Sequence, residues 1–112
     1  MKEMRPDLSP LLSEYFAAAN TDDADRIAAC FAEDAKVHDE KQDFAGRAAI
    51  RQWAIEARKK ASFRSEPFER EGEPDAPIVR AHVTGNFPGS PVDLHYTFTL
   101  DGKAISRLVI VP

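Results

Sequence analysis

Residues 15–40 decide the fold of this 112-residue chain, and their sequence is YFAAANTDDADRIAACFAEDAKVHDE. Apolar side chains recur there at three- and four-residue spacing over two segments and then alternate along a third. This pattern predicts two amphipathic helices followed by one strand. Tyr15 falls on the apolar face of the first helix, and Asp39 falls near the end of the otherwise apolar strand. We interpret the rest of the chain as the structure that encloses the space between these two side chains.

The first two helices have recognisable start signals. Ser9 and Pro10 predict the start of the first helix, because serine is a favourable N-cap and proline fits the first helical position. Asp22 or Asp23 is predicted to cap the second helix. The apolar faces of the two helices are predicted to consist of Leu12, Tyr15, Phe16 and Ala19, and of Ala24, Ile27, Ala28 and Phe31.

The remaining pattern predicts a short strand, one more helix and then only strands. Residues 35–40 are predicted to form the strand, residues 41–46 a loop, and residues 47–61 the helix. Turn residues separate four further predicted strands at residues 63–70, 78–87, 92–100 and 104–111. Helices first and an antiparallel run of strands afterwards predict an α+β fold, with the helices against one face of the sheet.

Alternation in the late strands predicts which side chains face the helices. The inward sets are Val79, Ala81, Val83 and Phe87 in one strand and Leu94, Tyr96, Phe98 and Leu100 in the next. The last strand is apolar on both faces, with Ile105, Val109 and Val111 on one and Leu108 and Ile110 on the other. Because an apolar outer face needs a cover, we expect a homodimer.

Composition excludes several classes of partner. The net charge of −4 argues against nucleic acid, whose binding proteins carry a basic surface. No segment approaches the length of an apolar membrane span, and the first ten residues lack the apolar core of a signal peptide, so a cytoplasmic protein is expected. The lone Cys30 lies in an apolar run and is interpreted as a small buried residue.

Three features together resemble a known family: the tyrosine-containing first helix, the run CFAEDAKVHDE, and the helix start GRAAIRQW ahead of four strands. They are similar to the nuclear-transport-factor-like cone superfamily, and within it to the SnoaL-like and ketosteroid-isomerase-like branch. The resemblance implies a single domain over residues 1–112, in which a curved antiparallel sheet wraps around the N-terminal helices. The result would be an open cone with an internal pocket.

The resemblance also implies roles for particular residues. The oxyanion-binding tyrosine of the isomerases falls on Tyr15 and their general base falls on Asp39. Their second oxyanion donor, an aspartic acid, falls on Leu94, so this chain departs from the isomerase pattern and steroid isomerisation is not expected.

The chemistry that these residues allow needs no cofactor and no metal. A carboxylate inside an apolar pocket is a base of raised pKa, and a phenol opposite it can hold a carbonyl oxygen. Such a pair suits a cofactor-free isomerase or polyketide-cyclase-like enzyme, with His38 as an auxiliary acid or base. A small apolar or aromatic molecule would be its ligand. The predicted pocket wall consists of Phe16, Phe31, Trp53, Leu94, Tyr96 and Phe98.

Alternatives remain open for each group. Tyr15, Trp53 and the phenylalanines also fit plain core positions, and Asp39 also fits a strand end that faces solvent or binds a loop N–H. At the level of function, the first alternative is a non-catalytic ligand-binding or dimerisation module of the same fold. The second is an epoxide hydrolase or dehydratase relative, which would need an inward Asp93 or Arg107. His82 and His95 are predicted on the outer sheet face without a converging third ligand, so no zinc site is expected.

Overall fold

A computed structural model describes residues 8–112. Residues 1–7 lie outside the described part of the chain. The expectation that the first ten residues are not a signal peptide rests mainly on them. The helices and strands of the described part are α1 (Pro10–Asn20), α2 (Ala24–Ala29), β1 (Phe31–Asp39), β2 (Gln42–Ala45), α3 (Arg47–Lys60), β3 (Phe63–Glu73), β4 (Ala76–Gly85), β5 (Val92–Asp101) and β6 (Ala104–Val111).

The predicted helix starts are confirmed. The Ser9 hydroxyl accepts a hydrogen bond from the Leu12 N–H at 3.4 Å, and Pro10 occupies the first helical position of α1. Asp23 caps α2 by accepting from the Arg26 N–H at 3.1 Å. In both cases a side-chain oxygen satisfies a backbone donor that has no partner within the helix.

The strands form one six-stranded sheet in the order β2-β1-β6-β5-β4-β3. The predicted antiparallel run from β3 to β6 is confirmed, and so is the α+β class. A wholly antiparallel sheet was expected. The observed sheet is mixed, because β1 pairs with β6 in parallel. This pairing places the strand that ends in Asp39 at the centre of one half of the sheet, beside the last strand of the chain.

Two boundaries in the first half of the chain were wrong. Strand β1 begins at Phe31, so Phe31 belongs to the strand and not to the face of α2. The predicted loop at residues 41–46 contains β2, which pairs with β1 through a two-residue turn. The hairpin escaped prediction because its turn is Glu40-Lys41, which lacks the Asn-Gly or Asp-Gly signature of such turns.

The predicted inward faces of β4 and β5 are confirmed at their centres. The fully buried side chains include Val79, Ala81 and Phe98, and they join one core cluster with the helices. On α1 the fully buried alanine is Ala18, where Ala19 was expected.

The last strand departs from regular alternation. Leu100 pairs with Ile105 but Thr99 pairs with Arg107, so Ser106 is an extra residue that forms a bulge. Ile105 therefore turns inward together with Leu108 and Ile110, so the predicted alternation, which placed Ile105 on the same face as Val109 and Val111, was wrong. The apolar outer face of β6 is reduced to the half-buried Val109 and to Val111, which is 40% exposed.

In residues 8–112, none of the helices combines the length and the apolar character that a membrane crossing requires.

Candidate functional site

A cavity of about 810 Å³, partly open to solvent, lies between the helices and the sheet. Tyr15 and Asp39 are both on its wall, and so are Trp53, Tyr96 and Ser65. Most of the remaining wall is apolar and comes from Ala19, Ile27, Ala54, Ala57, Ala61, Phe63, Val83, Phe87, Val92, Leu94 and Ile110. An apolar cavity with a few polar groups is the usual form of a small-molecule site.

Helix α1 positions Tyr15. Its ring packs edge-on against Phe16, Phe31 and Phe98 at centroid distances of 5.1, 6.0 and 5.5 Å. Only 3% of the residue is exposed, and within residues 8–112 its hydroxyl has no hydrogen-bond partner. Burial raises the pKa of Tyr15 well above its ordinary value, and the nearby Tyr96 and Asp39 add to this effect. The phenol therefore stays protonated at neutral pH and can donate a hydrogen bond to a ligand.

Asp39 lies at the end of β1 and is held by α3. The indole Nε1 of Trp53 donates a hydrogen bond to Asp39 Oδ2 at 3.0 Å. Burial raises the pKa of Asp39, and the charge of Glu40 adds to the shift. The indole N–H, the backbone N–H of Glu40 and His38 act in the opposite direction. Desolvation is the largest of these effects, so the carboxyl group holds its proton more tightly than a solvent-exposed aspartate.

The turn that follows Asp39 has an unusual backbone. Glu40 and Lys41 adopt φ values of 51° and 65°, the left-handed region that glycine and asparagine favour. This turn reverses the chain so that Asp39 pairs with Gln42. Both turn residues border the cavity, so a strained backbone lies directly beside the candidate base.

Tyr96 and Ser65 form a second polar group in the cavity. The Ser65 hydroxyl and the Tyr96 hydroxyl lie 3.1 Å apart, and only 2% and 5% of these residues are exposed. Burial raises the pKa of Tyr96 to about 12, although the hydrogen bond with Ser65 acts against the shift. The sequence analysis missed Ser65. Its signal was a serine between Phe63 and Pro67 on the inward-facing positions of a strand, where an apolar residue is the rule.

Arg58 lies in the last turn of α3. Its guanidinium also donates to the carbonyl oxygens of Phe63 and Ala19, and its Nε lies 3.5 Å from Asp22 Oδ1. The guanidinium lies over the Phe63 ring at 4.2 Å. Arg58 thus ties α1, α3 and β3 together at one side of the cavity.

His38 lies on the opposite face of β1 from Asp39, as alternation predicts, and it reaches the edge of the cavity. Its Nδ1 lies 2.8 Å from Asp43 Oδ1 on β2, and 35% of its side chain is exposed. The hairpin pairing of β1 with β2, absent from the sequence analysis, is what brings Asp43 to it.

The predicted pocket wall divides into two groups. Trp53, Leu94 and Tyr96 line the cavity. Phe16, Phe31 and Phe98 do not, and they pack in the buried core behind Tyr15. The prediction that these three rings line the pocket was wrong, because they fill the space between α1 and the sheet. The cavity lies farther along the helix.

The polar residues on the outer face of β4, β5 and β6 do not line the cavity. Asp93 is exposed and binds His82, with Asp93 Oδ1 2.7 Å from His82 Nδ1, and Arg107 is exposed as well. Across residues 8–112, no cluster of three or more histidine, cysteine or acidic side chains has the arrangement of a metal site.

A smaller cavity of about 350 Å³ lies between the β1–β2 hairpin and α3. Asp39 and Trp53 line this cavity too. Glu40, Ala57 and Lys60 also line both cavities, so the hydrogen-bonded pair is part of the wall that the two spaces share.

The fold, in which the helices pack against one face of an open sheet, is that of the nuclear-transport-factor-like cone. A profile of the SnoaL-like domain matches residues 12–107. The chain belongs to the SnoaL-like domain family.

Several solved structures are similar. A Sinorhizobium meliloti protein, provisionally assigned as a polyketide cyclase, is 43% identical over 94% of this chain and 96% of its own, with a TM-score of 0.90. A Catenulispora acidiphila protein of ketosteroid isomerase-like fold, in complex with trimethylamine, is 15% identical over 95% and 87% of the two chains, with a TM-score of 0.85.

SalBIII, an epoxide hydrolase/cyclase-like enzyme of pyran ring formation in salinomycin, is 24% identical over 89% and 85% of the chains, with a TM-score of 0.75. The last two likenesses describe the fold alone. A search of curated proteins found no significant match.

Proposed function

We propose that this protein is a cofactor-free enzyme that removes a proton from the carbon next to a carbonyl group of a small apolar or aromatic molecule. One observation carries the proposal. A carboxyl group of raised pKa and a protonated phenol without a protein partner in residues 8–112 lie on the wall of the same largely apolar cavity.

In the proposed reaction the Asp39 carboxylate accepts the proton as the C–H bond breaks. The electron pair moves into the carbonyl group and gives an enolate, whose oxygen accepts a hydrogen bond from Tyr15. Return of the proton to another carbon completes an isomerisation. In the aldol-type cyclisation the enolate carbon attacks a second carbonyl, and the alkoxide that forms takes the proton back from Asp39. A donor aimed at the developing oxyanion in an apolar site lowers the barrier of either path.

The surroundings of Asp39 support this role. Desolvation makes the carboxylate a stronger base than an exposed one, which suits proton abstraction from carbon. Trp53 fixes the orientation of the carboxylate through Oδ2. His38 would exchange the proton with solvent, because it reaches the cavity edge and is held by Asp43.

The 43% identical relative supports the cyclase form of the proposal, since its provisional assignment is a polyketide cyclase. The absence of the second isomerase donor, with Leu94 in its place, weighs against steroid isomerisation.

The test is hydrogen exchange on carbon. Planar ketones would first be screened for thermal stabilisation of the protein, and deuterium uptake at the carbon next to the carbonyl would then be followed by NMR. Asp39→Asn should remove catalysed exchange while binding persists. Asp34→Asn, an exposed carboxylate on the same strand, serves as the matched control and should exchange at the wild-type rate. Catalysed exchange that survives in Asp39→Asn would refute the proposal.

A non-catalytic binding module uses the same cavity, and the same experiment separates it from the enzyme, because such a module would bind the ketone without exchange. The epoxide hydrolase alternative required an inward Asp93 or Arg107, and both are exposed. Arg58 does line the cavity, but each nitrogen of its guanidinium already contacts a protein oxygen.

The homodimer stays a prediction. It now depends on two apolar residues of the outer face of β6, Val109 and Val111, of which Val111 also borders the cavity. Light scattering of the purified protein decides it. A Val109→Glu variant that turns a dimer into a monomer would locate the contact on this face, because Val109 does not line the cavity, and a wild-type monomer would reject the prediction.

A further inference from the structure

The pair formed by Ser65 and Tyr96 carries an inference about the ligand, which rests on the proposed function above. Two hydroxyl groups have two protons, and the bond of 3.1 Å between them uses one. Neither hydroxyl has another hydrogen bond within residues 8–112. One O–H and several lone pairs are therefore left for the cavity that both residues line.

Burial makes this remaining capacity significant. Ser65 is 2% exposed and, apart from Tyr15, Tyr96 and Cys30, it is the only residue with a polar side chain among the buried residues of the described chain, residues 8–112. A buried hydroxyl that leaves its hydrogen bonding incomplete costs free energy, so such groups normally have a partner. Because Ser65 and Tyr96 both line a cavity of ligand size, a molecule in that cavity can accept the remaining O–H or donate to the free lone pairs.

The backbone that supports Ser65 is fixed by a side chain of α1. Asn20 Nδ2 donates to the Ser65 carbonyl at 2.8 Å, and Asn20 Oδ1 accepts from the Ser65 N–H at 2.8 Å. Strand β3 is at the edge of the sheet, so these two backbone groups have no neighbouring strand to pair with. Asn20 takes the place of that strand. The hydroxyl pair is thus preorganised by a specific contact, which is typical of groups that bind a ligand.

The pair is distinct from the proposed reaction centre but lies close to it. The rings of Tyr15 and Tyr96 have centroids 6.4 Å apart. A ligand whose carbonyl contacts Tyr15 can therefore place a second oxygen against Ser65 and Tyr96 across the width of a single ring system.

We propose that Ser65 and Tyr96 bind a second oxygen atom of the ligand, a hydroxyl or a carbonyl, and so select ring compounds with two oxygen functions over those with one. This subsite determines specificity, whereas Asp39 and Tyr15 act on the reacting carbons.

The test compares 2-tetralone, a ketone with one oxygen, with its positional isomers that have one hydroxyl group on the aromatic ring. Affinities are measured by titration calorimetry. We expect at least one isomer to bind the wild-type protein about 3- to 10-fold more tightly than 2-tetralone, the range that one hydrogen bond contributes. Ser65→Ala and Tyr96→Phe should each remove this preference, so that the preferred isomer binds no more tightly than 2-tetralone does to the same variant.

Ser106→Ala is the matched control, because its hydroxyl binds the Thr99 carbonyl away from the cavity, and it should keep the preference. A wild-type protein that prefers none of the isomers, or binds neither class of compound, overturns the proposal. So does a preference that persists in Ser65→Ala and Tyr96→Phe. The same titrations in Asp39→Asn separate the two proposals. This variant should lose catalysed exchange, but it should still prefer the hydroxylated isomer if Ser65 and Tyr96 bind the second oxygen.

Discussion

The indole Nε1 of Trp53 lies 3.0 Å from Oδ2 of Asp39, and this hydrogen bond joins the middle of α3 to the end of β1. It stabilises the charged form of a carboxyl group whose pKa burial otherwise raises. The bond therefore sets how strong a base Asp39 is and in which direction its carboxylate points.

This contact makes Trp53 a reporter of Asp39. Trp53 is the only tryptophan of the chain, so intrinsic fluorescence has a single source. We expect the fluorescence to change with pH, with a midpoint above the ordinary pKa of aspartic acid, about 3.9. The transition should vanish in Asp39→Asn. A transition that remains in that variant would show that another group is being observed.

Replacement of Trp53 by phenylalanine should raise the pKa of Asp39 further, because the ring stays and the N–H donor is lost. The rising limb of the pH profile of catalysed exchange should move to higher pH. Gln52→Ala, which removes an exposed neighbour on α3, should leave the limb in place. An unmoved limb in Trp53→Phe would contradict the assigned role of the hydrogen bond.

Asp39 should also make stability depend on pH. Its raised pKa means that the native state keeps a proton which the unfolded state releases, so stability falls as pH rises through the window from the unfolded to the native pKa. Asp39→Asn removes this loss. The difference in the free energy of unfolding between the variant and the wild type, measured with urea, should grow as the pH rises from the ordinary pKa of aspartic acid, about 3.9, to the higher native pKa. A constant difference would reject a raised pKa.

Replacing the two turn residues, Glu40 and Lys41, should increase the stability of the protein. Left-handed backbone costs a residue with a side chain about 1 kcal/mol, and Asn-Gly adopts such a turn with little strain. The double substitution Glu40→Asn and Lys41→Gly should therefore raise the free energy of unfolding by about 1–2 kcal/mol. Gly102→Ala makes the reverse change, from glycine to a residue with a side chain in left-handed backbone. Gly102 has a φ of 64° and space for a methyl group, so this variant should lose stability through backbone strain alone. A loss of stability in the double variant would contradict the strain.

Core and cavity positions should respond differently to truncation. Phe98 is fully buried and does not line the cavity, so Phe98→Ala should lower the free energy of unfolding by about 3–5 kcal/mol. Leu94 lines the cavity and is half-buried, so Leu94→Ala should cost less stability and more of the affinity for 2-tetralone. Equal effects on stability would show that the cavity collapses around the truncated side chain.

Cys30 should be unreactive in the native protein. The residue is 4% exposed, and burial raises the pKa of its thiol to about 11, so little thiolate exists at neutral pH. A disulfide reagent such as dithionitrobenzoate should label it only when the protein unfolds, at a rate that denaturant increases. Rapid labelling of the folded protein would contradict the burial.

The sequence determined the elements whose signals are local. The N-caps Ser9 and Asp23 were predictable because a capping oxygen acts within its own turn of helix. The inward faces of β4 and β5 were predictable because alternation depends only on the strand itself. The strand end at Asp39 and the apolar helix face at Tyr15 were visible for the same reason.

Tertiary structure decided everything that joins distant segments. The partner of Asp39 could not be predicted, because the indole of Trp53 meets it across 14 positions of sequence through the packing of α3 on β1. The Ser65–Tyr96 pair spans 31 positions and depends on the order of the strands. The bulge at Ser106, which turned Ile105 inward, follows from the pairing of β6 with β5, since a strand's own sequence does not record an extra residue opposite its neighbour.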